Sequence, residues 1–245
     1  MMADDTGLIE LARSFAETSR VLLSQPTLER TMEAVAERAP ASVRGADWAC
    51  VSIITREGTI ETPACSDGDG TPHAPSPQKV LQFGEGLVRA AAADGSVLRI
   101  DDTAEEDRWP AFARQARELG VGSIIACGLR TGPGLRAALV LQSAEPGAFD
   151  GLAADAVDVY ATHAASALAR SQNTDSLREA VRTRQVIGEA TGILMERHRI
   201  GSPAAFALLV RASQHLNVKL RAVAAHVTRT GQDPHTLRPQ DLRPE

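Results

Sequence analysis

The sequence predicts an α+β fold in two parts: an antiparallel sheet flanked by helices, then a separate all-α module of three helices. Three observations carry this expectation. Local patterns run helix, strand pair, helices, strand pair, helix, the order produced by an antiparallel sheet with helices on its faces. From Asp155 to Arg197 there is no proline, and the only glycines are Gly188 and Gly192, so one long helical run leads out of the sheet region. The charge balance then changes sign. Residues 171–245 hold 11 basic and 7 acidic side chains, a net of +4, although the whole chain carries −5.

Each element has its own signal. Leu8, Leu11 and Phe15 recur at helical spacing, and Pro26-Thr27 separates them from a second pattern built on Leu28, Met32 and Val35. Trp48 to Thr55 is rich in β-formers, Arg56-Glu57-Gly58 reads as a turn, and Thr59 to Ala64 returns as the other arm of a hairpin. Residues 66–77 hold Gly, Pro, Ser and Asp with almost nothing apolar, and read as a loop. Gly84-Glu85-Gly86 introduces a helix from Leu87 to Ala93, ended by Asp94-Gly95. Val97 to Ile100 reads as a strand and Trp109 to Leu119 as a helix closed by Gly120. Val121 to Leu129 and Leu135 to Gln142 read as strands about the Gly132 to Gly134 turn, and the long helix starts near Phe149-Asp150 with a joint expected at Ser171 to Asp175. Ser202-Pro203 supplies a cap and an early proline for the next helix, whose apolar face carries Phe206, Leu209 and Val210. Asn217 is placed to cap the third helix, lined by Leu220, Val223, Ala224 and Val227 and stopped by Gly231. The remaining residues, rich in proline, read as a loose tail.

Composition excludes several classes. With 43% apolar and 23% charged residues the chain is globular, and with 3% aromatics its cores rest on Ala, Val, Leu and Ile. No segment approaches 18 consecutive apolar residues, so no membrane partner is expected. The acidic start, Met1 to Glu17, lacks the basic, apolar and cleavage regions of a secretion signal. Cys50, Cys65 and Cys127 show neither an even framework nor metal-ligand spacing. They read as buried structural thiols in a reducing, cytoplasmic compartment, with no metal and no cofactor expected.

The carboxyl-terminal module is the informative part. Plotted at 100° per residue, Arg178, Arg182, Gln185, Glu189 and Glu196 share a narrow polar stripe. Val186, Ala190 and Ile193, then Ile187 and Leu194, then Leu177, Val181 and Met195 fill a wide apolar arc. That arc exceeds what two short helices can cover, so a second copy of the chain is expected to cover the surplus as a homodimer. Gly188 and Gly192 each cost about 1 kcal/mol of helix propensity relative to alanine, which close approach by another helix or a ligand would explain. Arg184 falls among apolar positions, where a charge needs a partner inside the module or on a polyanion. Lys219, Arg221, His226 and Arg229 are expected on an exposed cationic face of the third helix.

The run Thr183-Arg-Gln-Val-Ile-Gly-Glu-Ala-Thr-Gly-Ile-Leu-Met-Glu-Arg197, followed by Ser202 to Phe206, Leu209 to Ser213 and Asn217 to Ala224, resembles the ANTAR domain over about residues 175–232. The resemblance implies a three-helix RNA-binding module of bacterial transcription antitermination regulators. It also implies a two-hairpin RNA partner whose formation competes with a terminator, and a dimer as the active form. Gly188, Ala190 and Gly192 carry over as family positions. Arg184, Arg211, Lys219 and Arg221 join the RNA-binding set from charge and placement. RNA loops are read through splayed bases and backbone contacts. Phe206 is expected in the core, so arginine planes are left to supply any stacking. A helix-turn-helix reader of duplex DNA is the competing reading.

Upstream, Gly84-Glu85-Gly86-Leu87-Val88, Val97 to Asp102, Asp107-Arg108-Trp109-Pro110-x-Phe112, Leu119-Gly120-Val121-x-Ser123 and Pro146-Gly147-Ala148-Phe149-Asp150 resemble a GAF domain. That similarity implies a sensor of small molecules or redox state, with its ligand unidentified. The family's cyclic-nucleotide signature, Asn-Lys-x-Phe-Asp-Glu, is absent. His73 in the polar loop and His163 on the last helix are isolated, and no phosphorylatable receiver pattern surrounds Asp101-Asp102. No G-x-S-x-G, H-E-x-x-H or P-loop occurs, so no enzyme is expected. The organisation that follows is 1–43 flanking helices, 44–170 GAF-like sensor, 171–232 ANTAR-like module and 233–245 flexible tail. Two other readings remain: a small-molecule or redox-sensing interaction module with a dimerising tail, and a thiol-dependent methionine sulfoxide reductase.

Overall fold

The computed structural model describes residues 15–66, 77–132 and 134–242. The chain divides into two compact units, Met1–Thr174 and Asp175–Glu245.

In the first unit, helical backbone over 15–23 (α1) precedes α2, Leu28–Ser42, whose first turn is closed by the Thr27 hydroxyl accepting from the Arg30 amide at 3.2 Å. Leu8 and Leu11 lie outside the described residues. The order continues β1 Trp48–Ile54, β2 Ile60–Cys65, α3 Pro77–Leu81, α4 Glu85–Asp94, β3 Val97–Ile100, α5 Pro110–Glu118, β4 Ser123–Leu129, β5 Arg136–Ser143 and α6 Gly151–His198. The strands form one antiparallel sheet ordered β2-β1-β5-β4-β3. The expected loop at 66–77, with His73, falls almost wholly outside the described residues.

Alternation along the strands builds two cores. Ala49, Val51, Ile125, Cys127, Leu139 and Leu141 point to one face and pack with α2 and α6 through Val35, Val157, Tyr160 and Leu168. Cys50, Ile124, Ala126, Ala138 and Val140 point to the other and pack with Val80, Leu87, Ala91 and Phe112 of α3, α4 and α5. Both faces of the central strands are buried, so β4 and β5 read as nearly continuous apolar runs. Tyr160 is fully buried and its hydroxyl donates to the Val35 carbonyl at 2.7 Å. Burial also pushes its phenol well above the ordinary range. Tyr160→Phe is expected to cost about 1 kcal/mol, the net worth of the lost hydrogen bond, because the Val35 carbonyl lies within α2 and keeps its helical partner. Both tryptophans, Trp48 and Trp109, lie in this unit, so denaturant titration followed by their fluorescence reads the loss directly.

The cysteines depart from expectation. Cys50 and Cys65 are joined in a disulfide, and only Cys127 is a free, buried thiol. The inference from cysteine count to a reducing compartment therefore no longer holds. Helix α6 is also unbroken through Ser171 to Asp175, where a joint was expected, because nothing there removes a backbone donor.

The second unit contains the end of α6, then α7 Ser202–Leu216 and α8 Leu220–Thr230. Ala190 and Leu194 of α6, Ala205, Leu209 and Ala212 of α7, and Val223, Ala224 and Val227 of α8 form its core. Its caps differ from those expected. Gly201 holds the N-cap position of α7, Ser202 being already helical. Asn217 closes α7 in the left-handed conformation at φ +51, and Lys219 occupies the N-cap position of α8. The Val218 amide donates back to Ser213 O at 3.1 Å, the hydrogen bond that a left-handed helix end provides. The segment after Gly231 forms turns at Pro234–Thr236 and Pro239–Leu242. Pro234 and Leu237 are buried, and Asp233 Oδ2 lies 2.6 Å from His198 Nε2, so these residues pack where composition suggested a loose tail. No helix among the described residues is long and apolar enough to cross a membrane.

Candidate nucleic-acid interface

The three helices sort the predicted contact residues into three groups. Arg184, Arg211 and Lys219 are exposed, and no hydrogen bond or ion pair engages their side chains among the described residues. Each sits where its element leaves it free: Arg184 on the outer side of α6, Arg211 on α7 away from buried Leu209 and Ala212, and Lys219 at the start of α8. Arg221 is exposed but paired with Glu179, which also lies 3.8 Å from Arg182. Arg178 is held at 3.3 Å by Asp175 and Arg199 at 3.7 Å by Glu196. Such exposed pairs contribute about 0–1 kcal/mol, so a phosphate can displace them, but it must compete. Among the predicted contact residues the uncommitted charge belongs to the first three.

The small residues divide differently. Ala190 is fully buried against α7 and α8, so it is a packing position and not a contact residue. A larger side chain there would meet the core. Gly188 and Gly192 face open space, with no atom within 4 Å of where a side chain would begin. Among the described residues no second helix approaches them, contrary to that reading of their cost. Leu177, Val181, Arg184 and Gly188, spaced four, three and four apart, line a shallow groove along α6. Leu177 is 69% exposed and Val181 67%, while Val186, Ile187 and Ile193 turn inward to the core. The surplus of the apolar arc is therefore this one edge.

Two residues fall elsewhere than expected. Phe206, expected in the core, is 42% exposed. The buried line of α7 is Ala205, Leu209 and Ala212, whose small side chains let the helices approach, and Phe206 stands one step off it. His226, expected on the cationic face, is buried beside Val223 and Val227, with its Nε2 3.1 Å from Gln232 Oε1. The aromatic surface that base stacking requires was missed because the largest apolar side chain looked like the natural core residue.

In the sensor unit no group of metal-ligating side chains occurs among the described residues. His163 stacks on Phe15 with ring centroids 6.4 Å apart. Asp102 caps a turn by accepting from the Ala104 amide at 2.7 Å, and Asp101 pairs with Arg99 at 2.5 Å. Burial pushes the Cys127 thiol up to about 11, so it is protonated and unreactive at neutral pH. One open pocket is lined by Thr59, Ile60, Thr62, Gln78, Leu81, Gln82 and Glu85, on the same sheet face as α3 and α4.

Comparison with known proteins accords with this division. The GAF domain model matches residues 25–169 and the ANTAR domain model matches residues 175–227. No curated protein matches the chain. Among solved structures, a bacteriophytochrome from R. palustris is 15% identical with TM-score 0.57, covering 76% of this chain and 42% of its own. The phytochrome photosensory core module of Stigmatella aurantiaca is 13% identical with TM-score 0.58, covering 85% and 45%. The phycocyanobilin-bound GAF domain of a cyanobacterial phytochrome is 17% identical with TM-score 0.51, covering 67% and 96%. This chain thus spans less than half of the two larger chains, and at these identities the likeness is one of fold.

Proposed function

Because the chain belongs to the GAF family and continues into an ANTAR domain, we propose that it is a transcription antitermination regulator whose carboxyl-terminal helices grip a two-hairpin RNA under control of the sensor. The observation that carries this reading is the uncommitted charge of Arg184, Arg211 and Lys219 on a compact three-helix module. Backbone phosphates supply the matching negative charge. Exposed Phe206 supplies a face for an unpaired base, a contact that single-stranded loops offer and a closed duplex does not. This favours RNA hairpins over duplex DNA.

The same reading includes a homodimer, closed at the exposed Leu177 and Val181 of α6. An isologous contact centred on those two turns covers the exposed apolar side chains and leaves Arg184, the next turn along, at its rim. The sensor's input is a small molecule, and it acts only insofar as it binds the two functional states with different affinity. The chain works in the cytoplasm, beside the nascent transcripts, and carries out no catalysis of its own.

Phe206→Ala is expected to lower affinity for hairpin RNA roughly 5- to 100-fold, the range for losing one base–aromatic stack, with helical circular dichroism unchanged. Competition binding against the wild type reads this. The function itself is tested by crosslinking RNA to the protein in cells and sequencing what copurifies. Leaders in which paired hairpins overlap a terminator should be enriched. RNAs recovered only in proportion to their abundance would contradict the assignment.

A further inference from the structure

We propose that Cys50 and Cys65 form a thiol–disulfide exchange site that sets how firmly the edge strand β2 and helix α3 are held on the sensor's sheet, with a dithiol as the reacting partner. The two residues stand directly opposite each other on β1 and β2, with Cα atoms 4.0 Å apart. β2 is an edge strand, hydrogen-bonded only to β1, and its ladder registers four pairs with an irregularity between Val51 and Ile53. Beyond the cysteines, among the described residues, Ser66 ties the strand end, its amide donating to Ala49 O at 2.8 Å and its hydroxyl accepting from the Ala49 amide at 2.9 Å. The disulfide lies on the face covered by α3, whose Val80 and Leu81 pack into the same cluster. Gln78 of α3 donates to Thr62 O of β2 at 3.1 Å, so the helix is tied to the strand as well as packed beside it.

The sulfurs are unequal. Cys50 is fully buried, whereas Cys65, at the strand's end, is partly exposed. A dithiol's thiolate therefore attacks Cys65 Sγ. The S–S bond breaks, its electron pair leaves on Cys50 Sγ, and that sulfur takes a proton. The dithiol's second thiolate then attacks its own sulfur in the mixed disulfide and releases Cys65 as a thiol. Two electrons and two protons pass to the protein, and the reductant closes to a disulfide. Cys127 takes no part. It is buried on the opposite face of the sheet, among the residues that meet α2 and α6.

The test uses the full chain, first oxidised and then treated with dithiothreitol at neutral pH without denaturant. Alkylation after unfolding, read by mass, should count one thiol before reduction and three after. Amide exchange of residues 60–66 and 77–83 should quicken on reduction by roughly tenfold or more, with β4 and β5 unchanged. Cys65→Ser should exchange like reduced wild type under both conditions, and Cys127→Ser should keep the full difference. Three thiols in the oxidised protein, a bond that dithiothreitol opens only after unfolding, or exchange at 60–66 that ignores redox state would each overturn the proposal. The wild-type comparison decides the matter even if a variant fails to fold, and because no RNA is involved the outcome is independent of the proposed function.

Discussion

Replacing Arg184, Arg211 and Lys219 together by alanine is expected to weaken binding of hairpin RNA by about 100-fold at moderate salt. The three side chains are exposed and engaged with nothing among the described residues, so their removal leaves no buried group unpaired and no core gap. What is lost is intermolecular. Each charge-assisted contact to a phosphate, discounted for solvent exposure, contributes about 1 kcal/mol, and three multiply to roughly two powers of ten. The loss should also appear in the salt dependence, whose slope falls by about 2 to 3 for three phosphate contacts. Arg221→Ala serves as the internal comparison. Its guanidinium is already shared with Glu179, so its removal should cost less than that of any one of the three. Equal losses would mean that the ion pair opens freely in the complex. Filter binding of the wild type, the triple variant, the three single variants and Arg221→Ala across a salt series measures both quantities.

Gly128→Ala is expected to destabilise the sensor unit by about 3 kcal/mol, the upper end of what overpacking a filled site costs. Gly128 lies inside β4, paired with Ala138 of β5, where the end of α4 comes against the sheet. A Cβ there would overlap the Ala91 carbonyl oxygen and stand 2.8 Å from the Gly95 Cα. Both are backbone atoms, and neither can rotate aside as a side chain could. Gly95 is itself held at φ +73 as the cap of α4, so the helix end cannot retreat without giving up that cap. The tryptophan-monitored denaturation midpoint should fall sharply. A midpoint within experimental error of the wild type would show that α4 does not approach β4 as described.

Much of the fold was legible because the chain marks its turns with residues that have few alternatives. Gly58 at φ +85 closes the first hairpin and Gly231 at φ +68 ends the last helix, both where the sequence placed them. The disulfide was not legible, and the reason is a single irregularity. Ile54 pairs with Ile60 and Ile53 with Glu61, a register that carried on unbroken would set Cys50 opposite Ala64. The shift between Val51 and Ile53 moves Cys65 into that place instead. Nothing in the spacing of the cysteines announces such a shift.

The candidate surface was half legible for a related reason. Arg211 and Lys219 could be singled out from charge and placement, since long cationic side chains seek solvent on whichever face is open, whereas periodicity set Arg184 among apolar positions and the structure leaves it exposed. Ala190, Phe206 and His226 depended on how closely the helices pack. Alanines on the buried line of α7 draw the helices together, which leaves Phe206 outside, while the turn after α8 brings Gln232 over His226 and so permits a polar ring to be buried. Packing distance of this kind is a property of pairs of elements, and one element's pattern does not contain it.

The most direct measurement is the affinity of the full chain for a two-hairpin RNA and for an unstructured RNA of the same length and composition, across a series of salt concentrations. The account calls for clear preference for the folded transcript, with log affinity falling linearly as log salt rises. Equal affinity for both RNAs, or no binding to either in dilute buffer, would contradict it.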